Sequence, residues 1–270
     1  MTNSEAPAAL AWRSAILGRT GLTVCRVGLS AGYGMKLSPA MIERSVEQGV
    51  NYLYWGSMRW PGFGRALANL KAHRERMVLV LQSYSRVSSL IRGSIERALK
   101  RIGYDYADVL LLGLWNKQPP ARILDAARRA REQGLIRHFA ISTHNRPLIP
   151  VLAHDLEINV IHLRYNAAHV GAETEVFPNL PAQSERPGLV AFTATSWAQL
   201  LNPKKVPKGE RVPTATDCYR FVLSNPAVNV CITGPRNDRE AAAGLEALKL
   251  GPLSEEEQAW MRRVGRAVHG

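Results

Sequence analysis

The chain alternates short apolar runs with longer stretches whose apolar residues return every three or four positions. The runs are VCRVGL (24–29), NYLY (51–54), MVLVLQ (77–82), VLLL (109–112), HFAIS (138–142), VIHL (160–163), LVAFTA (189–194) and VNVCI (228–232). Runs this short and this continuously apolar predict strands covered on both faces. The intervening stretches carry helix punctuation. SPAMIERSVEQG opens on Ser-Pro and closes on Gly, which supplies a cap, a first-turn proline and a left-handed stop. PPARILDAARRAREQG and DREAAAGLEALKLG repeat the pattern. The last stretch, SEEEQAWMRRVGRAV, begins with a capping box from Ser254 to Glu257 and sets its acids first and bases last along the dipole.

Eight strands, each followed by a helix or a helix-bearing loop, predict an α/β fold, a (β/α)8 TIM barrel. A doubly wound sheet is the alternative, but it calls for G-x-G-x-x-G after the first strand, and that is absent. Upstream, WRSAILGRTGLTV folds back at Gly18–Gly21 and predicts an N-terminal β-hairpin that closes the barrel bottom. The last helix is then an extra C-terminal one. Residues 1–11 read as a flexible lead-in, and 12–270 as one barrel domain. If the first and eighth strands adjoin, Cys25 and Cys231 are expected near one another as core thiols.

Composition narrows the class. There are 270 residues, 46% hydrophobic and 21% charged, as in ordinary globular proteins. No apolar run is long enough to span a membrane. The opening MTNSEAPAAL lacks the basic-then-apolar order of a secretory leader, so a cytoplasmic location is the expectation. The net charge of +13 comes from 27 arginines and 8 lysines scattered along the chain, without a groove-reading motif or an interleaved aromatic platform. An anionic or aromatic small molecule is therefore the expected partner, with no nucleic acid and no membrane. The three cysteines form no C-x-x-C pair, and no ligand set for a metal appears.

Several segments, in the right order, resemble the aldo/keto reductase superfamily over nearly the whole chain. They are LGRTGLTVCRVGLS, EQGVNYLYWG, SIERALKRIGYDYADVLLL, REQGLIRHFAIS, YNAAH, VAFTATSW and ITGPRNDREAAAGLEALKLGPLSEEE. The resemblance implies a (β/α)8 barrel that binds NADP(H) and reduces carbonyls. In such an enzyme a tyrosine protonates the carbonyl oxygen, helped by a lysine, an aspartate and a histidine. The lysine is needed because a free phenol near pKa 10 is a poor acid at neutral pH.

The positions that should carry this relay are occupied otherwise. GVNYLYWG puts Tyr54 where the aspartate belongs. The tyrosine falls on Arg59, or on Trp60 if the loop slips by one; the lysine falls on Gln82 and the histidine on Gly113. A divergent member lacking the tetrad is the expectation. Its replacement proton donors are Tyr54, Tyr84 and His144, with Arg59 and Gln82 beside them. The bland readings are a strand tyrosine filling the mouth and a strand-end glutamine without a role.

The resemblance also implies cofactor positions. Phe192 stands where a ring stacks on nicotinamide, with Thr193 after it, and Ser142 matches a carboxamide-holding serine. The next positions depart from the family, with Thr143 for an asparagine and His162 for a glutamine. Gly234, Arg236 and Asn237 match a phosphate-binding turn, where helix N–H groups and an arginine fork suit an anion. Further on, Glu240, Ala243 and Gly244 replace the residues that meet adenine. His162 is equally readable as a satisfied core histidine. Trp55, Trp60, Trp115 and Trp197 all fall in or beside strand-end loops and suggest an aromatic-lined pocket. Three functions follow: a divergent NADP(H) oxidoreductase; a non-redox lyase, isomerase or cyclase; or a pseudoenzyme with a binding or regulatory role.

Overall fold

Eight parallel strands close into a barrel in the computed structural model, which describes residues 12–31 and 38–269. The lead-in expected over 1–11 lies outside the described residues. A hairpin, β1 (Ser14–Ile16) and β2 (Thr23–Cys25), precedes the barrel strands. These are β3 (Val27–Ser30), β4 (Tyr52–Trp55), β5 (Val78–Gln82), β6 (Ala107–Leu114), β7 (Ile136–Thr143), β8 (Ile158–Arg164), β9 (Gly188–Phe192) and β10 (Val230–Thr233). β10 pairs with β3 and closes the ring.

Helices follow the strands as the sequence punctuation predicts: α1 (Pro39–Glu47), α2 (Pro61–Asn69), α3 (Ser89–Ile102), α4 (Ala121–Glu132), α5 (Leu148–His154), α6 (Ala172–Glu175), α7 (Ala215–Ser224), α8 (Asp238–Leu250) and the additional α9 (Glu255–His269). The capping box forms at the head of α9, with Glu257 N–H donating to Ser254 Oγ and Ser254 N–H to Glu257 Oε2. Ser38 precedes Pro39 as expected, but its side chain makes no capping bond. No helix among the described residues is long and apolar enough to cross a membrane.

The period of two along each strand divides the core. Inward residues such as Val80, Val109, Leu111, Val160 and Val190 fill the lumen, and Leu17 and Val24 of the hairpin join them from below. Outward residues such as Leu79, Leu110, Ile141 and Ile161 meet the helices. The hairpin thus closes the barrel bottom as expected.

The run VCRVGL is a correction. It is two strands, broken at Arg26, whose buried guanidinium donates to the carbonyls of Leu223 (2.7 Å) and Val228 (3.0 Å) and lies over Trp12. A buried arginine needs these acceptors, and reaching them takes the chain out of the ladder. Cys25 consequently sits in the hairpin opposite Ser14 and is only partly buried. Cys231 instead interacts with Cys218 of α7, and burial pushes both thiols up, Cys231 to about 12.

Candidate functional site

The C-terminal strand ends open on a cavity of about 810 Å³, bounded on one side by β4 and its loop and on the other by β9, β10 and the head of α8. β4 supplies two inward phenols. Tyr52, fully buried among the lumen valines, shares a 2.8 Å hydrogen bond with Nε2 of His162. Burial pushes the Tyr52 phenol well up and the His162 imidazole down to about 3, so both are neutral. His162 is therefore a correction: it lies in the lumen beneath the cavity and does not line it.

One layer higher, Tyr54 lines the cavity and donates its hydroxyl to the Gln82 carbonyl oxygen. Its ring stands edge-on to His162 at 5.7 Å. Burial first, then the Tyr84 phenol, raise the Tyr54 pKa. Arg59 is not among the groups acting on it. Tyr84 lines the same cavity, two-thirds exposed. Arg59 also lines it, and its guanidinium has no ion-pair partner among the described residues. Gly113 sits at φ +84°, beside a register shift in β6, close to Ser83 O and Gln82 Nε2. Only glycine takes that backbone without strain, so the strand end offers no side chain there.

On the opposite wall, Phe192 ends β9, Thr193 follows it and Gly234 follows β10, all three lining the cavity. Ser142 pairs with His162 in the sheet and its carbonyl accepts Trp115 N–H, but it does not reach the cavity wall. His144 lies outside it too, exposed, with its ring edge-on to Phe192 at 5.5 Å. Asn237 caps α8, accepting Glu240 N–H at 2.9 Å. Arg236 is already engaged: its backbone N–H and Nε each donate to the Glu240 carboxylate at 2.9 Å. Those bonds hold Glu240 below the usual carboxylate range. The arginine of this turn is therefore engaged by the protein's own carboxylate.

The sequence model for the aldo/keto reductase family matches residues 54–196, more than half of the chain. The chain belongs to that family. Solved structures agree on the fold. An aldo-keto reductase from Bacillus halodurans in its holo form superposes with a TM-score of 0.78 at 18% identity, covering 93% of this chain and 96% of that one. An aldo/keto reductase from Klebsiella pneumoniae, in complex with NADP and acetate, gives 0.75 at 19% identity, covering 94% and 95%. At these identities the likeness is one of fold.

Two features within this family barrel escaped the sequence reading. The segment TATSWA after β9 holds four non-glycine residues at positive φ: Thr193 (57°), Ser196 (50°), Trp197 (52°) and Ala198 (66°). It is fixed by Asn166, fully buried, whose Nδ2 donates to Thr193 O at 2.8 Å, and by Ser196 N–H to the same oxygen. Left-handed non-glycine residues carry no sequence mark, so nothing in the letters announces them. The second is Arg164, at the end of β8 opposite Phe192. Its charge acts on His144 and His169, lowering both after burial has done so, and its guanidinium has no ion-pair partner among the described residues. The parity of β8 was the available signal: with His162 inward, Arg164 two residues on shares that face.

Proposed function

We propose that the chain is a divergent NADP(H)-binding oxidoreductase of its family whose barrel mouth works without the Asp/Tyr/Lys/His relay. The observation that carries this reading is the state of Tyr54. Its hydroxyl donates to a neutral amide, and burial holds the phenol above its ordinary pKa. A tyrosine prepared as an acid by a lysine would be shifted the other way. The side-chain-free Gly113 supports the same conclusion.

The residues fit the dinucleotide unequally. Phe192 and Thr193 suit its ring end, whereas Arg236 and the head of α8 suit its phosphates only once Glu240 has swung away. NADP(H), when bound, supplies a hydride for a carbonyl carbon. The chain's own part is to hold a proton at the Tyr54 hydroxyl, with Tyr84 connecting that hydroxyl to solvent. His144 stands outside the cavity, which leaves the two phenols as the replacement donors. Calorimetric titration with NADPH tests the reading: micromolar binding is expected, and no heat at millimolar cofactor sinks it. Reduction of a small aldehyde should then fall about a hundredfold or more in Tyr54→Phe, the scale of one acid–base group.

A second reading, a non-redox lyase, isomerase or cyclase, or a pseudoenzyme with a binding role, is favoured by one observation. The Arg236–Glu240 pair needs no ligand phosphate to be complete. A barrel that binds a small molecule and refuses dinucleotide would select this reading.

A further inference from the structure

We propose that the cavity takes a flat aromatic carboxylate, its carboxylate on Arg59 and its ring along the indoles of Trp60 and Trp197. The inference rests on the site proposed above and names its ligand class; it does not require the dinucleotide.

Charge gives the first half. Of the described side chains lining the cavity, only Arg59 and Glu240 carry full charges. Glu240 is neutralised by Arg236, and the phenols of Tyr54 and Tyr219 are held neutral by burial. Among the described residues, an incoming ligand therefore meets one uncompensated charge, a guanidinium. Its planar fork matches a carboxylate through two parallel hydrogen bonds. A phosphate dianion would carry one charge more than this cation balances, so a monoanion is the better match.

Shape and strain give the second half. Trp60 and Trp197 join Tyr54, Tyr84, Phe192 and Tyr219 around the same space. Trp197 is 63% exposed at φ +52°, within a segment of four left-handed non-glycine residues. An exposed indole contributes little to folding, and the left-handed backbone holding it is unfavourable. Both features make sense if a ligand covers the ring. A bare anion would gain nothing from these walls, and a neutral arene nothing from Arg59.

The test is calorimetric titration of the full chain with 2-naphthoate, 2-naphthamide and acetate. Wild type should bind naphthoate about tenfold or more tightly than naphthamide, the worth of a charge-assisted contact, and more tightly than acetate. Arg59→Met should abolish the preference for naphthoate over naphthamide. Trp197→Ala should narrow the gap between naphthoate and acetate while keeping the charge preference. The proposal is overturned if naphthoate does not bind, if naphthamide binds equally, if the preference survives in Arg59→Met, or if acetate matches naphthoate. An unchanged naphthoate–acetate gap in Trp197→Ala overturns the role given to that indole. A parallel titration with NADP+ separates the two ideas. Naphthoate preference without dinucleotide binding sinks the oxidoreductase reading and supports this one.

Discussion

Tyr52 and Tyr54 lie two residues apart on β4 and point into the same lumen, yet their surroundings differ sharply. Tyr52 belongs to the buried lumen cluster with valines from five other barrel strands and shares its hydroxyl with His162. Tyr54 has the lumen below it and an open cavity above, with Gln82 and Tyr84 as partners. Both phenols are neutral and hydrogen-bonded. One layer of depth decides the rest: the lower pair can serve only the fold, while the upper pair can also meet a ligand. The largest expected effect breaks this comparison at the floor. Tyr52→Ala should cost about 3–5 kcal/mol, since it opens a cavity and leaves His162 without its partner. Tyr54→Phe should cost about 1 kcal/mol or less, because the ring remains and Gln82 can turn to water. Urea unfolding of the two variants measures both, and equal losses would mean that the two layers are not distinct.

Acid should reveal the same floor. The unfolded chain protonates His162 near its ordinary value of 6.5, while the folded lumen depresses that value to about 3. The unfolded state therefore binds more protons between those values. Stability is complete above pH 6.5 and is lost as pH falls, by about 1.4 kcal/mol per pH unit for one such group. From pH 6.5 to 5, before most carboxylates titrate, about 2 kcal/mol should disappear. His162→Gln, which can still hydrogen-bond Tyr52, should remove about one proton's share of that slope and leave the share of His138, His144 and His169, which burial also lowers; a slope unchanged in the variant would place the titrating group elsewhere.

How far the letters led differs between floor and mouth for the same reason. Val80, Val109 and Val160 were legible as strands because burial on both faces leaves an apolar run. The punctuation around α1, α4, α8 and α9 was legible because capping is local chemistry. Arg26 was misread because its carbonyl acceptors lie about two hundred positions away. At the mouth, the strand ends placed Gln82 beside Tyr54 without deciding between a bond to it and no role; the structure makes the bond, since both end neighbouring inward rows. Glu240 pairing with Arg236 was not foreseen, although Arg236 stands just before the Asn237 cap and Glu240 in the first turn of α8. The positive φ values of Thr193, Ser196, Trp197 and Ala198 have no sequence signature at all.

Glu240 gives the next test, of smaller size, and it concerns the two walls of the cavity. If the β10 wall is self-filled while the β4 wall carries a free cation, then Glu240→Gln should open the first without touching the second. Affinity for NADP+ should rise by at most about fivefold, the scale of one exposed ion pair. Naphthoate binding at Arg59 should stay unchanged. Paired calorimetric titrations check this, and a naphthoate response as large as the NADP+ response would merge the two walls into one electrostatic site.

The smallest effect isolates the strained segment itself. Ala198 is exposed and sits at φ +66°, so its methyl packs against nothing that its removal would lose. A left-handed alanine is unfavourable by about 1–2 kcal/mol, and glycine removes that cost while adding back some chain entropy in the unfolded state. Ala198→Gly should therefore stabilise the protein by about 0.5 kcal/mol and raise Tm by roughly 1–2 °C. Ala242, exposed on α8 with ordinary helical backbone, is the matched control. The same exchange there should destabilise by about 1 kcal/mol, because glycine is a poor helix former. Opposite signs in the two variants identify backbone strain as the difference. The same sign would mean that residues 193–198 relax in solution, and that Trp197 is not held at the cavity edge by its own chain.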